Sequence, residues 1–418
     1  MRMPAVPARR RPARSLAAWS IVAMLAALPC DALPQAPFED VVRNLRNPDT
    51  KARMNAVHML RESRHAEAAV PVAAILTDPV EAIQLEAIAA ELSFFLVEDV
   101  PSRRMVALVV EVRNKEMAEP AFEAGPLATW PRAAPPEVID GLLKAVDDED
   151  ARVRTEAIYA LGVVARPPLP DDAADRLTKV LDHYDPAIRA AAARVIGRLE
   201  VTRAGDALIA AMNDANQPVR YGSMRALGDI REARAVAALT DQLAFYGKGE
   251  AAWVALDALA RIAHSSSAPL FQVRLGDKDP YIRRAAAEGL ARLGDQSQLP
   301  VMQDAASSDP SPMVRAAMIF ALAKFGQNDA ARLCEFFSSD KSVPQVQGYF
   351  LELGPAALPG LTTALASPNA GVRARVADVI GALGTPDSVA LLDPLTRDRD
   401  RSVAEAATVA IERIKQRR

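Results

Sequence analysis

The sequence has few of the residues on which catalytic and metal sites depend. Its 418 residues include two cysteines and four histidines. No His-Glu-x-x-His, Cys-x-x-Cys, P-loop, Gly-x-Gly-x-x-Gly or Gly-x-Ser-x-Gly motif occurs. No two histidines stand three or four residues apart, so no helix offers a pair of metal ligands. We therefore expect no enzyme, no cofactor, no metal and no small-molecule substrate.

Aromatic residues and net charge are scarce as well. The chain has 11 Phe, 6 Tyr and 3 Trp, and 50 Lys plus Arg stand against 53 Asp plus Glu. Half of the residues are apolar, which excludes a disordered chain. A non-specific nucleic-acid binder needs an excess or a dense stripe of basic residues. We therefore expect no nucleic-acid partner.

Residues 1–32 predict a signal peptide. Five arginines and no acid precede the uncharged run Leu16 to Leu28, and small residues follow it. As a helix, this run would cover roughly 20 Å, which is short of the ~30 Å hydrocarbon core of a membrane. Cleavage is expected after Ala32, so that the mature chain begins at Leu33. The predicted location is the periplasm or the extracellular space.

Two other export signals fit the sequence less well than ordinary secretion. Cys30 follows the apolar run as a lipoprotein acceptor does, although Pro29 stands where that signal has a small residue. Arg9 to Arg11 resemble a twin-arginine signal, but the apolar pair of that signal is missing. A membrane partner is expected only if Cys30 is lipidated or the signal is retained. After cleavage Cys334 is the remaining cysteine, so no intramolecular disulfide can form, and we expect a buried thiol.

From about Phe38 onward, one pattern recurs at intervals of about 31 residues. An Asp or Asn, often with a Pro, precedes Val or Ile, then Arg, then alanines at helical spacing that close on Leu or Ile, as in Asp150 to Gly162 and Asp185 to Gly197. The Asp or Asn suits a helix N-cap, and Pro suits the first turn. The apolar positions form one helical face. Each unit therefore predicts a pair of helices that must stack on its neighbours.

The Asp-x-x-Val-Arg-x-x-Ala-x-x-Ala-Leu-Gly unit closely resembles HEAT repeats, in the short bacterial form also found in phycobilisome lyases. The resemblance covers nearly all of residues 38–415. It implies an all-α solenoid, or superhelix, of about eleven stacked antiparallel helix pairs. Iron-dependent hydroxylases built from similar repeats need paired His-Glu motifs, which this sequence lacks. The predicted divisions are a signal peptide at 1–32, N-terminal repeats at 33–92, an irregular helix pair with a Pro-rich loop at 93–137, and a repeat array at 138–418.

The arginine of the repeat predicts a structural ladder rather than a binding surface. A residue that recurs in every unit suits the stacking that every unit shares. Asp150, Asp185 and Asp279 each stand four residues before their arginine, so ion pairs can form within a unit or reach the next one. The ladder consists of Arg154, Arg189, Arg220, Arg283, Arg315 and Arg373.

A partner-binding groove is expected on the second helix of each unit, which lines the concave side in HEAT-like solenoids. Positions one and five residues after the ladder arginine vary among units and are predicted to project outward. Three adjacent units place aromatic and charged residues there, of the kinds enriched at binding hot spots. The predicted groove residues are Tyr221, Arg225, Trp253, Asp257, Arg284 and Glu288.

The preferred hypothesis is a non-enzymatic exported scaffold that binds a protein or peptide partner along this groove. Two alternatives remain. One is a lyase-like or other enzyme that handles a chromophore, and the other is a membrane-tethered assembly factor of the cell envelope.

Overall fold

The computed structural model describes residues 37–98, 117–327 and 330–417, and these residues form eleven helix pairs with one additional helix, α5. The predicted signal peptide and Cys30 lie outside the described residues. In each pair a short first helix precedes a longer second helix. The pairs, with α5 in its place, are α1 (Phe38–Asn44) and α2 (Thr50–Ser63); α3 (Ala69–Ala73) and α4 (Glu81–Phe95); α5 (Ala118–Ala124); α6 (Pro136–Ala145) and α7 (Ala151–Val164); α8 (Asp171–Lys179) and α9 (Pro186–Arg198); α10 (Gly205–Ala211) and α11 (Gln217–Asp229); α12 (Val236–Tyr246) and α13 (Glu250–Ile262); α14 (Ala268–Arg274) and α15 (Pro280–Leu293); α16 (Leu299–Ser308) and α17 (Pro312–Lys324); α18 (Ala330–Leu333) and α19 (Val343–Leu353); α20 (Leu358–Ala364) and α21 (Ala370–Leu383); α22 (Val389–Leu392) and α23 (Arg401–Gln416). The predicted all-α solenoid is confirmed.

Several second helices begin where the caps were predicted. Asp150 accepts hydrogen bonds from the N–H groups of Arg152 and Val153, and Asn216 accepts one from Val219. Pro follows the cap in the first turn of α9, α11 and α15. Because the cap satisfies N–H groups that the helix leaves free, these helices start at a defined residue. In α17 the cap position is taken by Ser311 rather than by Asp309, and it makes no side-chain hydrogen bond.

The end of the repeat pattern explains how neighbouring second helices pack. The Leu or Ile of the pattern is buried in the core, as at Leu161 and Leu227. The glycine after it allows close approach, since a Cβ added at Gly197 would lie 2.9 Å from Cα of Ala226 in the next second helix. The same holds for Gly228 and Ala258. A larger side chain there would push the two helices apart.

Several of the ladder arginines connect one unit to the next. Nε and Nη2 of Arg189 donate to the carboxylate of Asp214 at 2.8 and 3.0 Å, and its Nη1 donates to the carbonyls of His183 and Tyr184. The equivalent pairs elsewhere are Arg53 with Asp78, Arg283 with Asp309 and Arg373 with Asp398. Of the two predicted arrangements, pairing with the next unit is the one that forms. Asp150, Asp185 and Asp279 cap their own helices instead.

The region predicted as irregular is an insertion in the stack. α4 continues to Phe95, and residues 99–116 lie outside the described residues. After them come α5 and a Pro-rich stretch that leads to α6. We call residues 117–135 the inserted segment. No helix in the described ranges is long and apolar enough to cross a membrane.

Candidate functional site

The second helices form the concave side of the stack. The hydroxyl of Tyr349 on α19 donates to Oε1 of Glu288 on α15 at 2.5 Å, although α17 lies between the two in the stack. Arg292 of α15 also reaches across, and its Nη2 lies 2.9 Å from Oε2 of Glu352. Second helices two units apart can touch only on the inner side of a curve. The concave position predicted for these helices therefore agrees with the structure.

Three of the predicted groove residues form an ionic network within the protein. Asp257 accepts hydrogen bonds from Arg284 at 2.8 Å and from Arg261 at 3.2 Å. Burial raises the pKa of the Asp257 carboxyl, but the charges of Arg284 and Arg261 outweigh burial and hold it at about 2. Arg284 also lies 3.5 Å from Glu288. These side chains already have charged partners, so they stabilise the stack.

The prediction that Glu288 projects outward is wrong. Glu288 is 3% exposed, because Tyr349 lies over it. The ring of Tyr349 also stacks on Phe320, with ring centroids 4.3 Å apart. Tyr221 is largely buried as well, so it too does not project outward. Whether any predicted groove residue binds a partner stays a prediction.

The remaining predicted groove residues outside this ionic network are Arg225, which is exposed, and Trp253, which is half-buried. Arg225 lies 3.6 Å from Glu250, and both side chains are about half exposed. Trp253 stacks on Tyr281 with ring centroids 4.1 Å apart. The indole N–H of Trp253 donates to Oδ2 of Asp279 at 2.6 Å, which fixes the ring. We call Arg225, Glu250, Trp253 and Tyr281 the open patch.

Sequence reasoning missed Tyr281, which is 42% exposed. The predicted groove contains only positions after the ladder arginine, whereas Tyr281 lies between the cap Asp279 and the ladder arginine Arg283. Tyr184 is an exposed aromatic residue at the equivalent end of α9, with the Arg154 guanidinium 5.5 Å from its ring centroid. An aromatic residue beside an Asp-Pro cap, as in Tyr184-Asp-Pro and Asp-Pro-Tyr281, was the signal available in the sequence.

The inserted segment covers the concave face over α7 and α9. Glu156 of α7 accepts hydrogen bonds from the N–H groups of Met117 and Ala118, both at 3.0 Å, and so caps α5. The ring of Phe122 fills the space beside Gly162, where an added Cβ would lie 2.7 Å from it. Arg194, on α9, pairs with both Glu119 and Glu123 of α5. The open patch on α11, α13 and α15 lies beyond this cover.

The described residues offer little for metal or thiol chemistry. Within 37–98, 117–327 and 330–417, no group of three His, Cys, Asp or Glu side chains could hold a metal ion. Cys334 is buried, as predicted. Burial raises the pKa of its thiol to about 12, so the reactive thiolate is rare at neutral pH.

Comparison with known proteins identifies the repeat. The sequence profile of HEAT repeats matches residues 174–244, 248–323 and 352–418, about half of the chain. No curated protein matches the chain. Among solved structures, an engineered protein is 18% identical, covering 90% of this chain and 98% of its own, with a TM-score of 0.35. The CpcE–CpcF complex of phycocyanin lyase from a Nostoc species is 17% identical over 78% of this chain and 98% of its own, with a TM-score of 0.35. A designed armadillo repeat protein in complex with a (KR)4 peptide is 16% identical over 61% of this chain and 98% of its own, with a TM-score of 0.33.

Proposed function

Because the chain belongs to the HEAT-repeat family, a family of stacked helix pairs, we propose that it is a non-enzymatic scaffold that binds a protein or peptide partner on its concave face. The open patch is the observation that carries this proposal. It joins two predicted groove residues outside the ionic network, Arg225 and Trp253, to their neighbours Glu250 and Tyr281.

The chemistry of the open patch suits a protein partner. The stack of Trp253 on Tyr281 and the hydrogen bond to Asp279 hold a large aromatic surface in one orientation before binding. Little side-chain freedom is therefore lost when a partner docks. Arg225 and Glu250 lie beside it with opposite charges, which can fix the direction of a bound chain.

We also propose that the protein is exported, because residues 1–32 carry the basic, apolar and small-residue order of a signal peptide. Intact mass of the exported protein tests this. A chain that begins at Leu33 is expected. Retention of residues 1–32, or a lipid increment on Cys30, would overturn ordinary secretion.

Partner binding is tested with the exported chain as bait in envelope extract. A partner that binds the open patch should be retained by the wild-type protein and by the Phe245→Ala variant. Phe245 is a suitable control because it is an 81% exposed aromatic residue on α12, a first helix. Tyr281→Ala and Arg225→Glu should each release the partner. For a purified partner, the loss in binding free energy should be at least ~2 kcal/mol.

Circular dichroism and a comparison of the variants decide whether the open patch is the binding site. Circular dichroism should show unchanged helicity in Tyr281→Ala, since its ring lies at the surface. If Tyr281→Ala and Arg225→Glu bind normally while Trp130→Ala abolishes binding, the partner site lies on the inserted segment and the open patch is the wrong surface.

A further inference from the structure

A cavity of about 420 Å³ lies where the inserted segment meets the last repeat. One side is formed by the inserted segment and the ends of α7 and α9, and the other by residues of α21 and α23. Leu127, Trp130 and Leu351 give it apolar walls. Its volume lies within the range of small-molecule sites, about 300 to 1,000 Å³. Four arginines also line it, namely Arg166, Arg198, Arg413 and Arg417.

One carboxylate, that of Glu200, also lines the cavity, and the charges of Asp229 and Asp378 act on Arg198 and Arg413. The hydrogen bonds of the four arginines nevertheless go to uncharged groups. Arg166 donates to the hydroxyl of Thr129 at 2.8 Å and to the carbonyl of Trp130 at 3.1 Å. Arg413 donates to the carbonyls of Leu127 and Thr129 at 2.5 and 3.3 Å. Arg198 and Arg417 likewise donate to backbone carbonyls. None of the four forms an ion pair with a carboxylate in the described parts of the chain.

Arg413 is the clearest case of a buried positive charge without a paired carboxylate. It is 5% exposed, and its Nε has no hydrogen-bond partner among the described residues. Burial lowers the pKa of Arg413, and the neighbouring positive charges of Arg417 and Arg166 lower it further, against the pull of Asp378. Burial also lowers the pKa of Arg166, together with the charge of Arg198. Guanidinium groups stay charged even so, and at Arg413 a positive charge therefore lies away from water.

Other arginines of the second helices are paired with carboxylates, which shows how a buried guanidinium group is neutralised in this stack. Arg292 has Glu352 and Glu288 within ion-pair distance, and Arg284 has Asp257. A buried charge is costly unless it is paired. An anion that entered the cavity would supply the missing partner.

We propose that this cavity binds a small organic anion whose carboxylate or phosphate group is held by the arginines and whose apolar part lies against Trp130 and Leu127. The planar guanidinium group of arginine binds both kinds of anion with two parallel hydrogen bonds. The site is independent of the partner-binding proposal, because it shares no residue with the open patch. Since α23 is the last described helix and the inserted segment follows the second helix pair, the anion would contact parts of the array that are far apart in the sequence.

Titration calorimetry of the exported chain tests the proposal at constant ionic strength. The probes are hexanoate and hexyl phosphate, and the controls are hexanol, inorganic phosphate and hexyltrimethylammonium. At least one of the two anionic probes should bind saturably and raise the unfolding temperature, and comparison of the two identifies the preferred anionic group. The three controls should bind more weakly, because each lacks either the negative charge or the apolar part.

The variants assign the binding to the arginines. Arg417→Ala and Arg413→Gln should each weaken binding of the preferred probe by about tenfold, as expected for loss of one charge-assisted contact. Arg401→Ala, at the other end of the same helix, should leave binding unchanged, because Arg401 is exposed and paired with Glu405. Arg417 is at the surface, so its variant remains informative even if Arg413→Gln does not fold.

The proposal is overturned if neither anionic probe binds, or if hexanol binds as well as the better anion. Equal weakening by Arg401→Ala and Arg417→Ala would also overturn it, because the effect would then come from overall charge. If inorganic phosphate binds as tightly as hexyl phosphate, the proposed contact of the ligand's apolar part with Trp130 and Leu127 is wrong.

Discussion

Glu91 occupies a position that the repeat reserves for a core leucine, and its replacement by leucine should stabilise the protein. Counted from the ladder position, Glu91 corresponds to Leu161 and Leu227 in later units. It is fully buried, and neither of its carboxylate oxygens has a hydrogen-bond partner among the described residues. Burial alone raises the pKa of Glu91 well above its ordinary value. The carboxyl group is therefore a cost to the fold.

The expected gain from Glu91→Leu follows from two contributions. Removing a buried polar group without a partner recovers about 1 to 3 kcal/mol. Because the methylene groups of Glu91 are already buried, leucine adds only about two apolar carbons, worth about 1.5 kcal/mol. The two side chains are similar in size, so little strain offsets the gain. We expect the free energy of unfolding to rise by about 2.5 to 4.5 kcal/mol. Glu91→Gln is the matched control. It keeps an unpaired polar group, so near pH 4, where the carboxyl group is protonated in both states, it should be no more stable than the wild-type protein, and any gain at higher pH comes from the lost titration.

The pH dependence of the unfolding free energy gives a second, independent test of the burial of Glu91. Because the pKa of Glu91 is raised in the folded state, the folded protein holds a proton that the unfolded chain releases above about pH 4.3. Stability from this group therefore falls as pH rises from that value towards the folded pKa. Glu91→Leu and Glu91→Gln should both remove this slope. The gain from leucine should be larger at pH 8 than at pH 5.

Urea unfolding followed by circular dichroism near pH 4 and at pH 5 and pH 8 measures both effects. If Glu91→Leu is no more stable than the wild-type protein and keeps its pH slope, the carboxyl group has a favourable partner and our reasoning about its burial is wrong. In a repeat array, a stabilised unit can also change how cooperatively the whole stack unfolds. Midpoints should therefore be compared together with the slope of the transition.

The repeat fold could be predicted because the structure of each unit is determined by residues that are close together in the sequence. The caps at Asp150 and Asn216 and the core position of Leu227 depend on residues a few places away in the sequence. Repetition then turns weak local signals into a strong one. Ambiguity remained only where two local roles compete, as for the Asp that either caps its helix or pairs with the ladder arginine. A different Asp, from the next unit, pairs with the ladder arginine, so the first Asp is left to cap its own helix.

The site was harder to predict because it depends on how the stack curves. No single repeat shows that Tyr349 reaches back two units to cover Glu288. The contacts of the inserted segment have the same origin, since Arg413 of the last helix donates to Leu127 near the start of the array. Curvature arises from small rotations summed over many units. Positions that project outward in an isolated unit can therefore become buried in the assembled one.

Two further predictions concern the thiol and the ladder. Cys334 should resist iodoacetamide at pH 8 in the native protein and react after unfolding, because burial raises its pKa to about 12; equal rates in both states would show that it is accessible. Arg283→Ala should cost about 2 to 4 kcal/mol, because it leaves the carboxylate of Asp309 part-buried and unpaired. Arg220→Ala is the matched control: Arg220 donates to the same kind of backbone carbonyls but forms no carboxylate pair among the described residues, so its loss should cost about 1 kcal/mol. Burial raises the pKa of Asp309, but its hydrogen bonds with Arg283 outweigh this and lower it overall. The extra cost of Arg283→Ala should therefore be present above about pH 3.9 and shrink as the pH falls below it. If urea unfolding gives both variants the same cost at pH 7, the ion pair adds nothing beyond the carbonyl bonds, and the ladder does not join the units through charge.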